Sequence, residues 1–415
     1  MGPAVPSVAD LELPYLDLVG VERAEAMAAV ADARRRHWLA RTALGYLVTG
    51  YDDVVAILRD RRFHSALAVV PMLAGVPEDG VRRRRSILSV EGEEHDRLRR
   101  LVAPAFTPAA ADRLRPAMGR IVDALLDAVV EDGACDLVAA VCEPYPIPVI
   151  CELLGAPAQD WEQFSRWATD VFAIFNGTVA EDLPRIQAAL DELDAYVGDL
   201  IAERRRQPRP DLLSDLIAAE EAGDRLSTEE LVMLVEAVLL AGTDTTRNQL
   251  ACSVALLLDH PEQWQLVAQR PELAPRVVEE TMRFLGAVRG TGRFAAEDVV
   301  YRGVLFPAGT LVAVSLAGAN RDPAVFDRPE RLDVTADRRA VQLTFGSGIH
   351  HCLGAALARA ELAEALPRIA RRLPGLRLDG PVTWKPPTFG IWGPSSLPVR
   401  WDAPPRPAPP AVEAG

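Results

Sequence analysis

Lysine is almost missing: Lys385 is the single lysine in 415 residues, and arginine supplies the rest of the positive charge. With abundant Ala and Pro, that skew fits a GC-rich bacterial genome rather than a function. Positive charge is short overall, since Lys+Arg 45 stand against Asp+Glu 59 for a net charge of -14. That balance argues against a nucleic-acid binder, which carries a basic footprint. The run Arg82, Arg83, Arg84, Arg85 reads as a solvated loop. Cysteine is scarce, with five residues, an odd number and no CxxC spacing. A disulfide framework and a zinc ribbon are both excluded, and a reducing compartment fits. Long apolar runs are absent as well. The longest, Leu231 to Ala241, is interrupted by Glu236 and is too short to cross a bilayer. Met1 to Asp10 has neither the basic stretch nor the apolar core of a secretory signal. A cytoplasmic protein without membrane or nucleic-acid partners is expected.

What is present is mostly helical pattern. Thr107–Val130 and Leu183–Arg206 place apolar residues at three- and four-residue steps. Ser227 and Glu230 form a capping box opening a helix that is expected to run to about Leu258. At ~1.5 Å per residue it would be roughly 45 Å long. Strands are few: Leu44–Gly50, a hairpin within Val299–Leu316, and Ser396–Trp401. Residues 1–12 and 402–415 read as disordered tails, the second rich in Pro and Ala, around one continuous domain, 13–401.

The chemistry concentrates in "TFGSGIHHCLG", Thr344 to Gly354. A thiolate is a soft, strong metal ligand that needs shielding from oxidation and protonation. Gly346 and Gly348 permit a tight turn whose backbone N–H groups can face sulfur, and Gly354 permits close approach as a helix begins. That helix directs its positive end at Cys352. One cysteine leaves the other positions of a metal to something the chain does not encode, as in haem iron with a thiolate ligand. The bland alternative is a buried small hydrophobe. Zinc held by His350, His351 and Cys352 is disfavoured because adjacent side chains diverge.

"FGSGIHHCLG" resembles the haem-binding signature F-G-x-G-x-H-x-C-x-G of the cytochrome P-450 family at every specified position, Phe345, Gly346 and His350 included. "AGTDTT" (Ala241–Thr246) resembles the family's oxygen-helix pattern, an odd helix interior of glycine and threonines whose hydroxyls can bond carbonyls one turn back. Glu280 and Arg283 match E-x-x-R, and Arg331 in "DRPERLDV" matches the arginine that completes a structural triad. His95 and Arg99 match H-x-x-x-R, with Arg293 and His350 as further propionate contacts. Departures are Gly286 and Ala287 where prolines are common, "EGEEH" for an acidic-Pro-Pro-Glu-His run, and Leu332 for phenylalanine.

The resemblance implies a mainly α cytochrome P-450 fold, one triangular helical domain with small β-sheets, binding haem b through Cys352. It implies a gap at Gly242 beside Ala241 for dioxygen, Thr245 as the hydroxyl that holds it and Asp244 as a proton relay. It implies hydroxylation of an apolar, medium-sized substrate with O2 as co-substrate, with epoxidation, oxidative coupling, peroxide-driven oxidation or ligand sensing as alternatives. Electrons would come from NAD(P)H through a ferredoxin reductase and a ferredoxin meeting Arg97, Arg100, Arg113 and Arg115, on a monomeric enzyme. Pocket walls implied are the loop around Val69–Val76 with Val70, then Phe172, Phe175 and Asn176, Glu236 to Leu240, Val288 and Arg289, and Phe389 to Trp392 with Ile391.

Overall fold

The computed structural model describes residues 5–18, 20–69, 86–175, 179–222, 226–386 and 390–402. The expectations for Val70, the rest of its loop to Val76, the Arg82–Arg85 run, Asn176, Phe389 and the tail beyond residue 402 lie outside the described residues.

Helices dominate, as the apolar periodicity requires. Six position the site: α1 (Arg23–Arg36), α2 (Gly92–Val102), α3 (Thr228–Ala241), α4 (Asp244–Leu258), α5 (Ala274–Phe284) and α6 (Ala355–Arg372). The two long helices expected from periodicity are present as Pro108–Asp127 and Val179–Arg206. The main core is helical and gathers Leu250, Val254, Val277 and Leu366, each fully buried. A sheet of five strands flanks it: β1 (Leu39–Thr42), β2 (Gly45–Val48), β3 (Phe63–Ser65), β4 (Gly290–Ala295) and β5 (Leu311–Ser315), in the order β1-β2-β5-β4-β3. Only the β2–β5 pairing is parallel, Leu47 standing opposite Ala313. The hairpin expected over Val299–Leu316 closes early. Val299–Tyr301 pairs with Val304–Phe306, while Leu311–Ser315 leaves to join the main sheet.

Two expectations fail here. Residues 5–12, read as tail, are packed: Val8 is buried and Leu305 N–H donates to the Pro6 carbonyl at 2.9 Å. The helix opened by the Ser227–Glu230 capping box does not run unbroken to Leu258. It ends at Ala241, and α4 restarts at Asp244 with Thr243 at φ -89°, ψ -70°. The Thr243 hydroxyl donates to the Leu239 carbonyl at 2.8 Å and the Thr245 hydroxyl to the Ala241 carbonyl at 3.0 Å. Hydroxyls thus take up carbonyls at the break, the competition with helical bonding that threonine allows.

Candidate functional site

Gly346 and Gly348 have φ of 71° and 75°, left-handed conformations that glycine adopts without a Cβ penalty. A Cβ on Gly348 would sit 2.0 Å from the Leu58 carbonyl oxygen, so that position also needs the close approach. Around Gly346 and Gly354 a Cβ would meet nothing within 4 Å, leaving open space beside the loop. The turn is closed by Cys352 N–H to the Phe345 carbonyl at 2.9 Å. Cys352 is the exposed cysteine, whereas Cys142, Cys151 and Cys252 are buried and Cys135 is half-buried. Burial nevertheless raises the Cys352 pKa, against the pull of the Gly354 N–H and the charges of Arg99 and Arg359. Burial pushes Cys151 and Cys252 up to about 12.

The four residues expected to meet propionates are brought together. Arg293 on β4 stands opposite Ser65 on β3, and Ser65 N–H donates to Glu91 at 2.7 Å. Glu91 also meets His350 Nε2 at 2.9 Å, and the His350 and His95 rings are 4.7 Å apart. Arg99 donates to the His351 carbonyl at 2.7 Å, tying α2 to the cysteine loop. Arg293 is 4% exposed and, among the described residues, its side chain finds only Gly292 O at 2.9 Å and Thr291 Oγ1 at 3.4 Å. Burial lowers its pKa to about 10. Among the described residues His350 Nδ1, which is buried, has no hydrogen-bond partner. A buried guanidinium with so few acceptors calls for an anion. With the exposed Cys352 and the open space at two glycines, the residues present fit haem and its carboxylates. Glu91 is a site residue that sequence reasoning missed, because no spacing rule joins it to residues on a separate loop.

The oxygen-helix motif differs from expectation in two ways. Gly242 leaves no gap for a ligand: a Cβ there would come 2.7 Å from Ile150, whose side chain occupies that face. Asp244, the expected proton relay, is already engaged. Its carboxylate, 4% exposed, accepts from Arg247 Nε at 2.7 Å and lies 3.6 Å from Lys385 Nζ. Adjacent on a helix, Asp244 and Thr245 point ~100° apart. Arg247 continues the network to Glu143 at 2.9 Å, Ser165 at 2.7 Å and Thr169 at 2.7 Å. Ala241 is exposed, although Val238, Leu239 and Thr243 around it are buried.

The triad also changes membership. Glu280 is gripped by Arg283, at 2.8 and 2.9 Å, and by Arg338, at 2.6 and 2.8 Å. Arg331, the expected third member, has an exposed side chain and lends only its carbonyl, 3.1 Å from Arg283 Nη2. The cluster is joined to the cysteine loop: Arg283 donates to the Asn320 carbonyl at 3.1 Å, and Asn320 Oδ1 accepts from Leu343 N–H at 2.6 Å.

Among the pocket candidates, Phe172, Glu236, Leu240, Val288, Arg289 and Ile391 are half-buried and Trp392 is buried. Phe175 closes a short turn, Ala173–Phe175, after the helix Trp161–Phe172.

The chain matches the family model described as Cytochrome P450 over residues 158–269 and 263–374. It is 42% identical to nocardicin C N-oxygenase of Nocardia uniformis subsp. tsuyamanensis over 362 residues, 86% of this chain and 89% of the relative. Mycinamicin IV hydroxylase/epoxidase of Micromonospora griseorubida is also 42% identical, with the same coverage of 86% and 89%. Among solved structures, epothilone D-bound cytochrome P450epoK superposes with a TM-score of 0.85 at 33% identity, covering 93% of this chain and 99% of the other.

Proposed function

We propose that this chain, which belongs to the cytochrome P450 family and is a monooxygenase, hydroxylates an apolar, medium-sized compound of bacterial secondary metabolism. The observation that carries this is the exposed Cys352 in a two-glycine turn, with the buried Arg293 and the His95–His350 pair gathered beside Glu91. Haem supplies activation of dioxygen and transfer of one of its oxygen atoms. The chain's residues do the rest. Cys352 would hold the iron, and His95, Arg99, Arg293 and His350 the propionates. Phe345 would pack beside the group, with Arg359 4.4 Å over its ring. The named relatives act on nocardicin C and mycinamicin IV, which supports a secondary metabolite as substrate class. Among the described residues no helix is long and apolar enough to cross a membrane. The test is product formation by purified protein with NADPH, a surrogate ferredoxin and its reductase, screened over compounds that shift the haem spin state. No oxygenated product from any spin-shifting compound would sink the reading.

Thr245 would hold the reacting oxygen through its hydroxyl, with Asp244 relaying protons and Arg247 holding its carboxylate beside the partly exposed Glu143. Thr245→Ala keeps the fold and removes that hydroxyl. NADPH consumption will stay near normal, product per NADPH will fall at least about tenfold, and hydrogen peroxide will rise in step. Thr246→Ala, at a buried position on another face, will do much less. Asp244→Asn will slow the whole cycle. Full coupling in Thr245→Ala would show that another group supplies the proton.

Electrons would come from NAD(P)H by way of a ferredoxin. Of the four arginines read as its docking patch, Arg97 is ion-paired with Glu230, and Arg115 with Asp112 and Glu364. Arg100 and Arg113 are exposed. The second-order reduction rate will fall as salt rises, and Arg100→Glu will slow it without altering substrate affinity. A rate indifferent to both would remove the patch.

A further inference from the structure

Val288 and Ile391 form an antiparallel bridge. It is flanked by Trp392 N–H to the Ala287 carbonyl at 2.8 Å and Arg289 N–H to the Gly390 carbonyl at 3.4 Å. Directly opposed residues share a face, and their chain neighbours point to the other one. Arg289 and Trp392 therefore lie opposite Val288 and Ile391, and they meet there, with the Arg289 guanidinium carbon 5.4 Å from the Trp392 ring centroid. Their face lines a cleft of about 480 Å³, which also takes in Glu22, Arg23, Trp384 and Lys385. That volume lies in the range of small-molecule sites, roughly 300–1,000 Å³.

Three cations converge on this cleft. Among the described residues neither Arg23 nor Arg289 has an ion-pair or side-chain hydrogen-bond partner. Burial lowers the Arg289 pKa, and the Arg23 charge adds to the effect. Lys385 is shared with Asp244 at 3.6 Å and is thus the least available of the three. Glu22, the carboxylate in the lining, is exposed. Trp384 and Trp392, stacked with centroids 4.5 Å apart and 7° between planes, form an apolar wall. Two partly desolvated guanidinium groups without a counter-ion are unfavourable as they stand, and a carboxylate is the anion their planar donors fit best. The indole wall suits an apolar body attached to it.

We propose that this cleft binds an organic carboxylate, held by Arg289 and Arg23 against the Trp384–Trp392 wall. Arg289 and Trp392, expected as pocket walls together with Val288 and Ile391, lie on the opposite strand face from those two. Calorimetric titration of the full-length haem-loaded protein tests it, with cyclohexanecarboxylate as probe and cyclohexanecarboxamide as the neutral isostere. The carboxylate will bind at least tenfold tighter than the amide. Arg289→Gln and Arg23→Gln will each weaken it tenfold or more, and Arg289→Lys will retain part of the affinity. The haem spectrum, which responds to compounds entering above the iron, will not change during the titration. Arg23 is half-buried at the start of α1, so its variant keeps the test open if Arg289→Gln misfolds. Equal binding of acid and amide, unchanged affinity in the Gln variants, or a spin-state shift that follows the binding isotherm would each overturn the proposal. No turnover is needed, so the outcome stands apart from the oxygenase reading.

Discussion

Cys352→Ala will yield a protein that makes no product and whose reduced, carbon monoxide-treated form lacks the red-shifted Soret band of thiolate ligation. The effect is complete rather than graded because no other thiol can replace it. Cys142, Cys151 and Cys252 are buried in the core, and burial holds Cys151 and Cys252 near 12 and the half-buried Cys135 near 11, so none of these three offers a thiolate at neutral pH. Cys352 starts from a raised pKa too, but the residue is exposed and has the Gly354 N–H, Arg99 and Arg359 to favour the anion. A metal cation would complete that shift, since a coordinating thiol is deprotonated outright. Cys151→Ala and Cys252→Ala will keep the band. Gly348→Ala will lose most of it without touching sulfur, because its Cβ would strike the Leu58 carbonyl oxygen and displace the loop. Loss of the band in Cys252→Ala with retention in Cys352→Ala would reverse the assignment.

Glu280→Ala will be the most destabilising of the charge substitutions, by about 3–5 kcal/mol in denaturant unfolding, since it leaves Arg283 buried without its counter-ion. Arg338→Ala will cost less, because its side chain is 17% exposed and Arg283 remains to pair with Glu280. Arg331→Ala, at an exposed position, will fall within about 0.5 kcal/mol of the parent. Burial alone would raise the Glu280 pKa, but the bonds from Arg283 and Arg338 outweigh it and hold the folded value below the ordinary one. The linked stability is therefore complete above the unfolded-state value, about 4.3, and is lost as pH falls through the lower folded value. Unfolding curves of parent and Glu280→Ala will converge in acid below that window. Haem content should follow stability, because Arg283 reaches the cysteine loop through Asn320 and Leu343. An Arg331→Ala variant as unstable as Arg338→Ala would restore the triad read from sequence.

The sequence by itself determined what local chain geometry controls. The left-handed glycines of the cysteine loop, the capping box at Ser227 and Glu230, and the Glu280–Arg283 pair all act within about one helical turn. Each lies within a short stretch of sequence, and the family resemblance rests on the motif around Cys352 rather than on spacing. Propionate-side residues could be named singly, but their assembly could not. Arg293, His95 and His350 come from a strand, a helix and a loop that meet through Ser65 and Glu91. Other assignments needed the tertiary structure because they depend on what packs against the local motif. Ile150 fills the space at Gly242, and the long helix breaks at Thr243. Arg247 and Lys385 draw the Asp244 carboxylate away from Thr245. Arg338 rather than Arg331 reaches Glu280 because the irregular chain between them carries one guanidinium inward and leaves the other in solvent. The two faces at Val288 and Arg289 follow from one cross-strand pairing, Val288 with Ile391. Side-chain direction in a strand has a period of two, but only pairing and packing decide which face is which.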